Sequence, residues 1–512
     1  MNKVIKGCLL VLLAGGIASC NLDKYPEGSS IPGDSAFETV DDAAQFRNGI
    51  YSYVRTCLSS TVVIPVNIQA EGINATVDFG NNYGPQYTWS FLNSDDAVET
   101  IWGNCYATIY QLNYFLENCN RIRQEQYSDV ATDDTEAQGE LDLLDLYIGE
   151  AHLFRAMLYY TLATFYCQDY DPATAETTPG LVLTSTADVT QRLERSTLVK
   201  TFDTINYDLN VGRDALVAYY NGVSQPGSYY LTPLVADCLE AKVLLHMDDW
   251  DNAATAAAAI ADSHALISDA DAFQSMWTNN DYGASSEILF QFYADVNEGR
   301  SQYGSIFLND PYNNGQQCNP LYLPTQWIIS QFPTNDIRLN AYFGQRNVMV
   351  STGTYTNLRA VTKYPGNPAL NSVSSTNEFM HNVVVYRNAD FVLMAAEAYA
   401  RQGDQTNAET YLNKLLSTRI AGYQAPTYAS VDEVFEAIKT ERLKEMFMEG
   451  NRIADLKRWG DPMDRASQDP QNSDIIVSTG AYLTIQANDY RFTWPMPQSE
   501  TNSNPNITDN NW

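Results

Sequence analysis

Apolar residues recur every three or four positions over long stretches of the chain, with polar residues between them. This spacing places the apolar side chains on one face of a helix, so each stretch predicts an amphipathic α-helix. The stretches are residues 100–122, 147–166, 201–220, 239–260, 394–415 and 441–462. The pattern therefore predicts a mainly α fold, built as a helical scaffold.

Two of these stretches, residues 239–260 and 394–415, resemble each other in sequence. The matched pairs are Ala241 with Ala396, Asp249 with Asp404, Asn252 with Asn407, and Ala253 with Ala408. In each copy an apolar helix reaches a polar turn and a second helix follows, with small residues where the two helices cross. This arrangement is similar to a tetratricopeptide unit, although the copies are separated rather than in tandem.

Long segments rich in Asn, Gly, Pro, Ser and Tyr separate the predicted helices. They cover residues 67–96, 295–326, 344–382 and 460–512. Loops of this length in a compact protein are either functional or disordered. Their tyrosines and tryptophans favour a function, because disordered segments usually contain few aromatic residues.

The N-terminus has the layout of a secretory signal, in which two lysines precede an apolar run over residues 9–13. The run is too short for a transmembrane helix, which needs roughly 20 apolar residues. Residues 17–20, Ile-Ala-Ser-Cys, resemble the lipobox of bacterial lipoproteins, in which the cysteine is acylated and the signal is removed before it. We therefore predict a signal peptide over residues 1–19 and a stable lipid anchor at Cys20. An ordinary signal peptide with an incidental cysteine is the alternative.

Composition limits the partners and the chemistry. The chain is 45% hydrophobic, which is enough for a large globular core, and its formal net charge is −32. Nucleic acids and anionic lipid surfaces both need Lys and Arg to neutralise phosphate, so the acidity argues against either partner and leaves the lipid anchor as the only membrane contact. The eight cysteines and four histidines are scattered, without the spacing of a zinc site, and no catalytic motif is present. We therefore predict no metal, no cofactor and no catalytic residue.

One segment combines helical spacing with a dense pattern of charge: ERLKEMFMEGNRIADLKRWGDP, residues 441–462. Arg442 and Glu445, and likewise Glu449 and Arg452, are three residues apart and are placed to pair along a helix. Taken alone, the segment predicts an amphipathic helix with an ionic face.

The same segment also carries a family pattern. Its matching residues are Glu449, Gly450, Arg452, Asp455, Leu456, Arg458, Trp459 and Gly460. They resemble the EG-R-DL-RWG signature of the SusD/RagB family of Bacteroidetes outer-membrane lipoproteins. Residues 20–28, 387–404 and 492–506 are similar to three further family segments, whereas residues 507–512 depart from the usual family ending. The resemblance therefore extends over nearly the whole chain.

The resemblance implies a SusD-like fold, in which four tetratricopeptide-like helix pairs carry long ligand-binding loops and minor β-structure. It implies a single domain over residues 20–512, with an N-terminal part that carries tetratricopeptide-like helices in residues 20–270 and the C-terminal SusD/RagB part in residues 271–512. Family members are exposed on the cell surface at the outer membrane and form a lid over a SusC-like TonB-dependent transporter. They capture a nutrient, usually an oligosaccharide, and deliver it without cleaving it.

Two alternatives to an oligosaccharide-binding protein remain open. Some family members bind oligopeptides on the same scaffold, through backbone hydrogen bonds and side-chain pockets. The other alternative is a tetratricopeptide-like scaffold whose only partner is a protein.

Candidate ligand-binding residues lie in two loops that combine aromatic rings with amides and carboxylates. Sugar rings present flat C–H faces that lie on aromatic rings, and their hydroxyls pair with amides and carboxylates. In residues 78–90 the candidates are Asp78, Asn81, Asn82, Tyr83, Tyr87 and Trp89. In residues 302–322 the candidates are Tyr303, Tyr312, Asn313, Asn314 and Tyr322. The alternative is that these rings only pack the loops onto the core.

A different role is expected for the signature residues Glu449, Arg452, Asp455, Arg458 and Trp459. Their charges are placed for buried ion pairs, and breaking such a pair leaves an uncompensated buried charge. We expect these residues to hold the architecture together rather than to contact the ligand.

Overall fold

The computed structural model describes residues 37–279, 286–296, 301–310, 315–373 and 377–510. The predicted signal peptide and Cys20 lie outside these ranges, as do Tyr312, Asn313 and Asn314. The α-helices are α1 (Val40–Leu58), α2 (Ser60–Gln69), α3 (Gly84–Thr88), α4 (Asp96–Gln126), α5 (Thr135–Tyr166), α6 (Leu198–Tyr219), α7 (Pro233–His246), α8 (Trp250–Ser263), α9 (Ala270–Asn279), α10 (Gln302–Phe307), α11 (Gln326–Ser330), α12 (Ile337–Tyr342), α13 (Asn388–Arg401), α14 (Gln405–Arg419), α15 (Val431–Glu445), α16 (Arg452–Trp459) and α17 (Gln498–Ser503). The strands are β1 (Ile73–Ala75), β2 (Ile288–Phe292), β3 (Gln317–Cys318), β4 (Tyr322–Pro324), β5 (Phe343–Val350), β6 (Gly353–Val361), β7 (Val383–Arg387), β8 (Met463–Asp464) and β9 (Thr484–Ile485). The predicted mainly α class is confirmed.

The repeated sequence forms the same structure twice. Helix α7 is followed by α8, and α13 is followed by α14, each pair joined by a tight turn. Asp249 caps the start of α8, where its carboxylate accepts a hydrogen bond from the backbone N–H of Asn252 at 3.4 Å. Asp404 caps α14 in the same way and accepts from the N–H of Asn407 at 3.0 Å. The two predicted helix pairs are confirmed, and the matched residues include the caps at which each second helix begins.

The long helices α4, α5 and α6 pack side by side, and α8 packs against α13. Close contact between α5 and α6 depends on Gly149 and Gly212. A Cβ atom at Gly149 would lie 2.4 Å from the Cβ of Ala215, and one at Gly212 would lie 2.8 Å from the carbonyl oxygen of Gly149. The largest cluster of buried apolar side chains extends from Phe37 to Ile507, so both parts of the chain contribute to it.

Short sheets join segments that are distant in sequence. β1 pairs antiparallel with β4, which brings residues 67–96 beside residues 315–326. β2 pairs antiparallel with β7, with Phe292 opposite Val383, and β7 leads directly into α13. β5 and β6 form a hairpin, and β3 pairs with β5 at its edge. The two loops that contain the predicted ligand-binding residues are therefore neighbours in the fold.

One carboxylate, that of Glu445 at the end of α15, joins segments from different parts of the chain. Its oxygens lie 2.7 Å from Arg338 Nη1 on α12, 2.6 Å from Arg387 Nη1 at the end of β7, and 2.9 Å from Arg419 Nη2 at the end of α14. All four side chains are at most 1% exposed. Burial by itself raises the pKa of Glu445, but the three guanidinium groups hold that pKa well below its usual range. The carboxylate therefore stays charged and keeps α12, β7, α14 and α15 together.

We expect Glu445→Ala to lower the free energy of unfolding by about 3–5 kcal/mol, because three buried guanidinium groups lose their shared partner. Equilibrium urea denaturation measures the change. Glu436→Ala on the same helix is the control: this side chain is 68% exposed and pairs with Lys439, so its loss should cost less than about 1 kcal/mol. Equal losses in the two variants would contradict the role assigned to Glu445.

Candidate functional site

The signature segment forms two helices rather than one. α15 ends at Glu445 and α16 begins at Arg452, and between them Met448 and Gly450 adopt left-handed backbone conformations with φ of 65° and 80°. This break separates Glu449 from Arg452. The prediction that Arg442 pairs with Glu445, and Glu449 with Arg452, is wrong. The observed partners are Asp390 and Asp455 for Arg442, the three arginines for Glu445, Lys363 and Arg387 for Glu449, and Glu71 for Arg452.

The signature residues make buried ionic contacts that hold α16 in place. Asp455 lies 2.8 Å from Arg442 Nε and 3.0 Å from Arg458 Nη2. Arg458 also pairs with Glu397 of α13, and the Trp459 indole N–H donates to the same carboxylate at 2.8 Å. Glu397 is fully buried. These buried contacts fix α16 against α13, and the purely architectural role of the signature residues stays a prediction.

Four of the predicted ligand-binding rings lie in the core instead of on the surface. Tyr87 and Tyr322 are 0% exposed, Trp89 is 1% exposed and Tyr303 is 4% exposed. The Trp89 indole N–H donates to the backbone carbonyl of Gln69 at 2.9 Å, which further commits this ring to the interior. A sugar cannot stack on a ring whose faces are covered by protein, so the prediction of stacking surfaces is wrong for these four residues, although Tyr303 also lines a cavity described below. The composition of a loop shows that rings are present, whereas the folded loop decides which way they point.

The other predicted residues of the first loop lie at or near the surface. Asn81 and Asn82 are exposed, and Asp78 and Tyr83 are half-buried. The Asp78 carboxylate accepts a hydrogen bond from the backbone N–H of Ser351 at 2.8 Å, which fixes the loop to the turn between β5 and β6. A role of these residues in ligand contact stays a prediction.

A cleft with exposed aromatic rings lies elsewhere, between α1 and the end of β2. Its volume is about 370 Å³. We call it the tyrosine cleft, and its lining residues are Asn48, Tyr51, Ser52, Arg55, Tyr229, Tyr230, Phe292 and Tyr293. Tyr230 is 44% exposed and Tyr293 is 58% exposed, so both rings are accessible from solvent.

Hydrogen bonds fix part of the tyrosine cleft to the helical scaffold. The Tyr51 hydroxyl donates to Glu150 at 2.8 Å and accepts from the backbone N–H of Leu231 at 3.1 Å. Glu150 is buried on α5 and also pairs with Arg47, whose guanidinium carbon lies 5.3 Å from the centre of the Tyr230 ring. The rings of Tyr51 and Tyr230 pack edge to face with their centroids 5.9 Å apart. Tyr230 is therefore held in position without a ligand.

The other tyrosines of the cleft are positioned by the end of β2 and by the residue before β7. Arg55 Nη1 on α1 donates to the backbone carbonyl of Tyr293 at 2.9 Å. The rings of Tyr229 and Tyr293 pack edge to face with their centroids 5.8 Å apart, and Asn382 Nδ2 donates to the Tyr229 hydroxyl at 3.0 Å. Rings that are already in place lose little conformational entropy when a ligand binds.

The tyrosine cleft offers the groups that a neutral sugar requires. The exposed rings of Tyr230 and Tyr293 provide flat apolar surfaces for C–H faces. The Asn48 amide and the Ser52 hydroxyl line the same space and can donate to or accept from sugar hydroxyls. The arrangement can therefore bind a ring-shaped ligand that is rich in hydroxyl groups.

Sequence reasoning selected none of the residues of the tyrosine cleft. Tyr229 and Tyr230 follow the turn-forming residues Gln-Pro-Gly-Ser in a shorter loop, and Tyr293 directly follows the apolar strand β2. Two adjacent tyrosines after turn-forming residues were a usable signal for an exposed aromatic site. Their approach to Tyr293, however, depends on tertiary packing that local sequence does not reveal.

Among the residues described above, no helix is long and apolar enough to cross a membrane. The same residues contain no group of three or more His, Cys, Asp or Glu side chains that could hold a metal ion. The six cysteines from Cys57 to Cys318 are buried free thiols.

Two family models match different parts of the chain. The model described as "SusD family" matches residues 338–512, and the model described as "Starch-binding associating with outer membrane" matches residues 44–227. SusD-like protein P25 of Formosa agariphila is 24% identical to the chain over 406 residues, which cover 71% of this chain and 70% of that protein.

Solved structures share the fold. A SusD superfamily protein from Bacteroides thetaiotaomicron matches with a TM-score of 0.75 at 21% identity, and the match covers 93% of this chain and 100% of that one. A SusD-like carbohydrate binding protein from Bacteroides vulgatus matches with a TM-score of 0.70 at 15% identity, covering 92% and 98% of the two chains. With two family models matched and the signature found at residues 449–460, in α16 and at its two ends, the chain belongs to the SusD/RagB family.

Proposed function

We propose that this protein is a cell-surface lipoprotein that captures an oligosaccharide and delivers it to a SusC-like TonB-dependent transporter in the outer membrane. The tyrosine cleft is the observation that supports this class of ligand. Its exposed, prearranged rings match the C–H faces of sugars, and its neighbouring polar groups match their hydroxyls. One matching family model is described as starch-binding, and the neighbour from Bacteroides vulgatus is described as carbohydrate-binding. Both descriptions support the same class of ligand, which the protein binds and does not cleave.

The surface location in this proposal depends on the N-terminal sequence. The lipobox at Cys20 supports lipid anchoring after removal of residues 1–19. The description of the family model over residues 44–227 names the outer membrane, which supports the same location. A protein held at the membrane only by its lipid leaves its folded part free to lie over a transporter.

The net charge narrows the proposed ligand to neutral oligosaccharides. At a formal charge of −32, the protein repels anionic molecules over distances up to about a Debye length, roughly 8 Å at physiological salt. The tyrosine cleft contains one basic residue, Arg55, and that guanidinium already donates to the carbonyl of Tyr293. A sulfated or uronic-acid chain would therefore be a poorer ligand than a neutral one.

We expect Tyr230→Ala and Tyr293→Ala each to weaken oligosaccharide binding by about 1–3 kcal/mol, the range measured for stacking of nucleobases on aromatic side chains. Isothermal titration calorimetry measures the affinity, with neutral tetra- to hexasaccharides of glucose, mannose, xylose and galactose as probes. Tyr207→Ala is the matched control, because Tyr207 is 62% exposed on α6 and does not line the cleft.

The same titrations can contradict this proposal in two ways. If none of the probes binds, the oligosaccharide ligand is wrong, and binding of mixed oligopeptides instead would support the peptide alternative. If probes bind but the two cleft variants behave like Tyr207→Ala, the ligand lies outside the tyrosine cleft.

We expect Trp89→Ala to lower the free energy of unfolding by about 3–5 kcal/mol and to leave the affinity for the same probes unchanged, because the indole is buried. Urea denaturation and calorimetry measure the two quantities. Tyr482→Ala, at a ring that is 61% exposed, should change the stability by less than about 0.5 kcal/mol. A loss of affinity without a loss of stability would return Trp89 to the ligand site.

We expect the protein extracted in mild detergent from membranes of its own organism to appear in native mass spectrometry as a complex with a TonB-dependent barrel. The chain in that complex should begin at Cys20 and carry acyl groups. A Cys20→Ala variant provides the control, since it should no longer co-purify with outer membranes. An unacylated monomer in the membrane extract would contradict both the anchor and the partner.

A further inference from the structure

A second cavity shares one lining residue with the tyrosine cleft. Its volume is about 220 Å³, and Arg55 lines both spaces. We call this second cavity the histidine pocket; the residues that matter here are Arg55, Ser59, Ser60, Tyr303, Tyr364 and His381. A ligand that lies in the tyrosine cleft could therefore extend past Arg55 into the histidine pocket.

His381 lines this pocket and carries a hydrogen-bond acceptor that has no partner among the described residues. Its Nδ1 lies 2.8 Å from the backbone carbonyl of Asn382, and since a carbonyl can only accept, Nδ1 carries the proton. Burial lowers the pKa of His381, so the ring is neutral and Nε2 has a free lone pair. Nε2 is buried and has no hydrogen-bond partner among the residues that the structure describes. A buried acceptor without a partner is costly, and a ligand donor would satisfy it.

Ring packing fixes the direction of this acceptor. The rings of Tyr364 and His381 are stacked, with centroids 4.9 Å apart and planes inclined by 25°. Tyr364 in turn packs edge to face on Tyr303, with centroids 4.7 Å apart. The imidazole is thus held between its contact with Asn382 and the Tyr364 ring. Turning the imidazole to find another partner for Nε2 would break the hydrogen bond to Asn382.

Hydrogen-bond donors come from the start of α2, which has ten residues. Ser59 precedes the helix, but within the described chain its side chain does not cap the helix and its hydroxyl donates to the carbonyl of Thr56 at 3.2 Å. The first N–H groups of a helix have no hydrogen-bond partner inside the helix. At the start of α2 no capping side chain supplies one. Ser59 and Ser60 line the histidine pocket, so donors and the His381 acceptor bound the same space.

We propose that the histidine pocket binds an uncharged, hydroxyl-bearing terminal unit of the oligosaccharide whose remaining units lie in the tyrosine cleft. This inference rests on the proposed function. A ligand hydroxyl donates to His381 Nε2, and the ligand oxygens accept from the donors at the start of α2. A helix N-terminus also attracts anionic groups. The oxygens of such a group, however, carry no proton to donate to Nε2, and the lone pair of the imidazole would repel them. The acceptor therefore selects a neutral hydroxyl over a carboxylate, sulfate or phosphate.

The two cavities are also connected through Asn382. Its backbone carbonyl accepts from His381, and its side-chain amide donates to the hydroxyl of Tyr229 in the tyrosine cleft. One residue thus positions a group in each cavity. This link, together with the shared Arg55, supports a single ligand that occupies both.

His381→Phe tests the proposal, because it preserves a ring against Tyr364 and removes the acceptor. We expect the affinity for the best oligosaccharide of the panel to fall by about tenfold or more, with a smaller loss for His381→Gln, which retains an acceptor oxygen. The homologue that is shorter by one unit should bind more weakly to the unchanged protein, and His381→Phe should reduce this difference. A merely structural role would not change the dependence on chain length.

A second test uses nuclear magnetic resonance on the unchanged protein, so it does not require that a variant folds. The chain has four histidines, so ¹⁵N labelling of their side chains gives few resonances, and His152, His246 and His264 serve as internal controls. We expect only the Nε2 resonance of His381 to move when the oligosaccharide is added, because only this nitrogen gains a hydrogen bond.

The outcomes separate this inference from the proposed function. If oligosaccharide binds and Tyr230→Ala weakens it, while His381→Phe binds with full affinity and its chain-length dependence is unchanged, the histidine pocket proposal is overturned and the function stands. An unshifted Nε2 resonance in the bound state overturns the proposal in the same way. If no oligosaccharide of the panel binds, both fail.

Discussion

The carboxylate of Glu445, shared by three buried guanidinium groups, sets the positions of the segments that lead into the two cavities. A buried charge without a partner is costly. If the segments that carry the three guanidinium groups moved apart, the buried Glu445 carboxylate would lose these partners. One of these groups belongs to Arg387, the last residue of β7. β7 begins at Val383, directly after His381 and Asn382. The ion cluster therefore fixes the strand whose other end leads into the histidine pocket.

Strand β2 pairs with β7 and thereby fixes the position of Tyr293 in the tyrosine cleft. Because Phe292 pairs with Val383, Tyr293 lies at the same end of the sheet as the residues that precede β7. Asn382 then reaches across to the Tyr229 hydroxyl. Rings from distant parts of the sequence meet at this point because the sheet and the helical scaffold meet there. The site is thus a consequence of how β2, β7 and α1 are assembled.

The features that could be predicted from the sequence are set by residues close together in the chain. The helical spacing and the caps at Asp249 and Asp404 are of this kind, and even the backbone repeats: Asp248 and Gly403, at matching positions, have φ of 60° and 81°. The ionic partners of the signature are not local, because a helix face shows that charges will pair but not with which element. Ring orientation is also not local. The sequence makes Trp89 a candidate for stacking. In the folded protein its backbone is left-handed, with φ of 53°, and the indole lies in the core.

The proposed function, capture of an oligosaccharide and its delivery to a transporter, requires selectivity without irreversible binding, and in this proposal the two cavities divide these tasks. Tyr230 and Tyr293 are about half exposed, so the proposed stacking of a sugar on them would cover a limited area and would not depend on the identity of the sugar. The buried Nε2 of His381 acts differently, because it is unpaired in the free protein: a ligand with a donor gains a hydrogen bond there, and a ligand that lacks a donor does not. In the proposed function the tyrosine cleft therefore supplies reversible affinity, and the histidine pocket selects the unit at the end of the oligosaccharide.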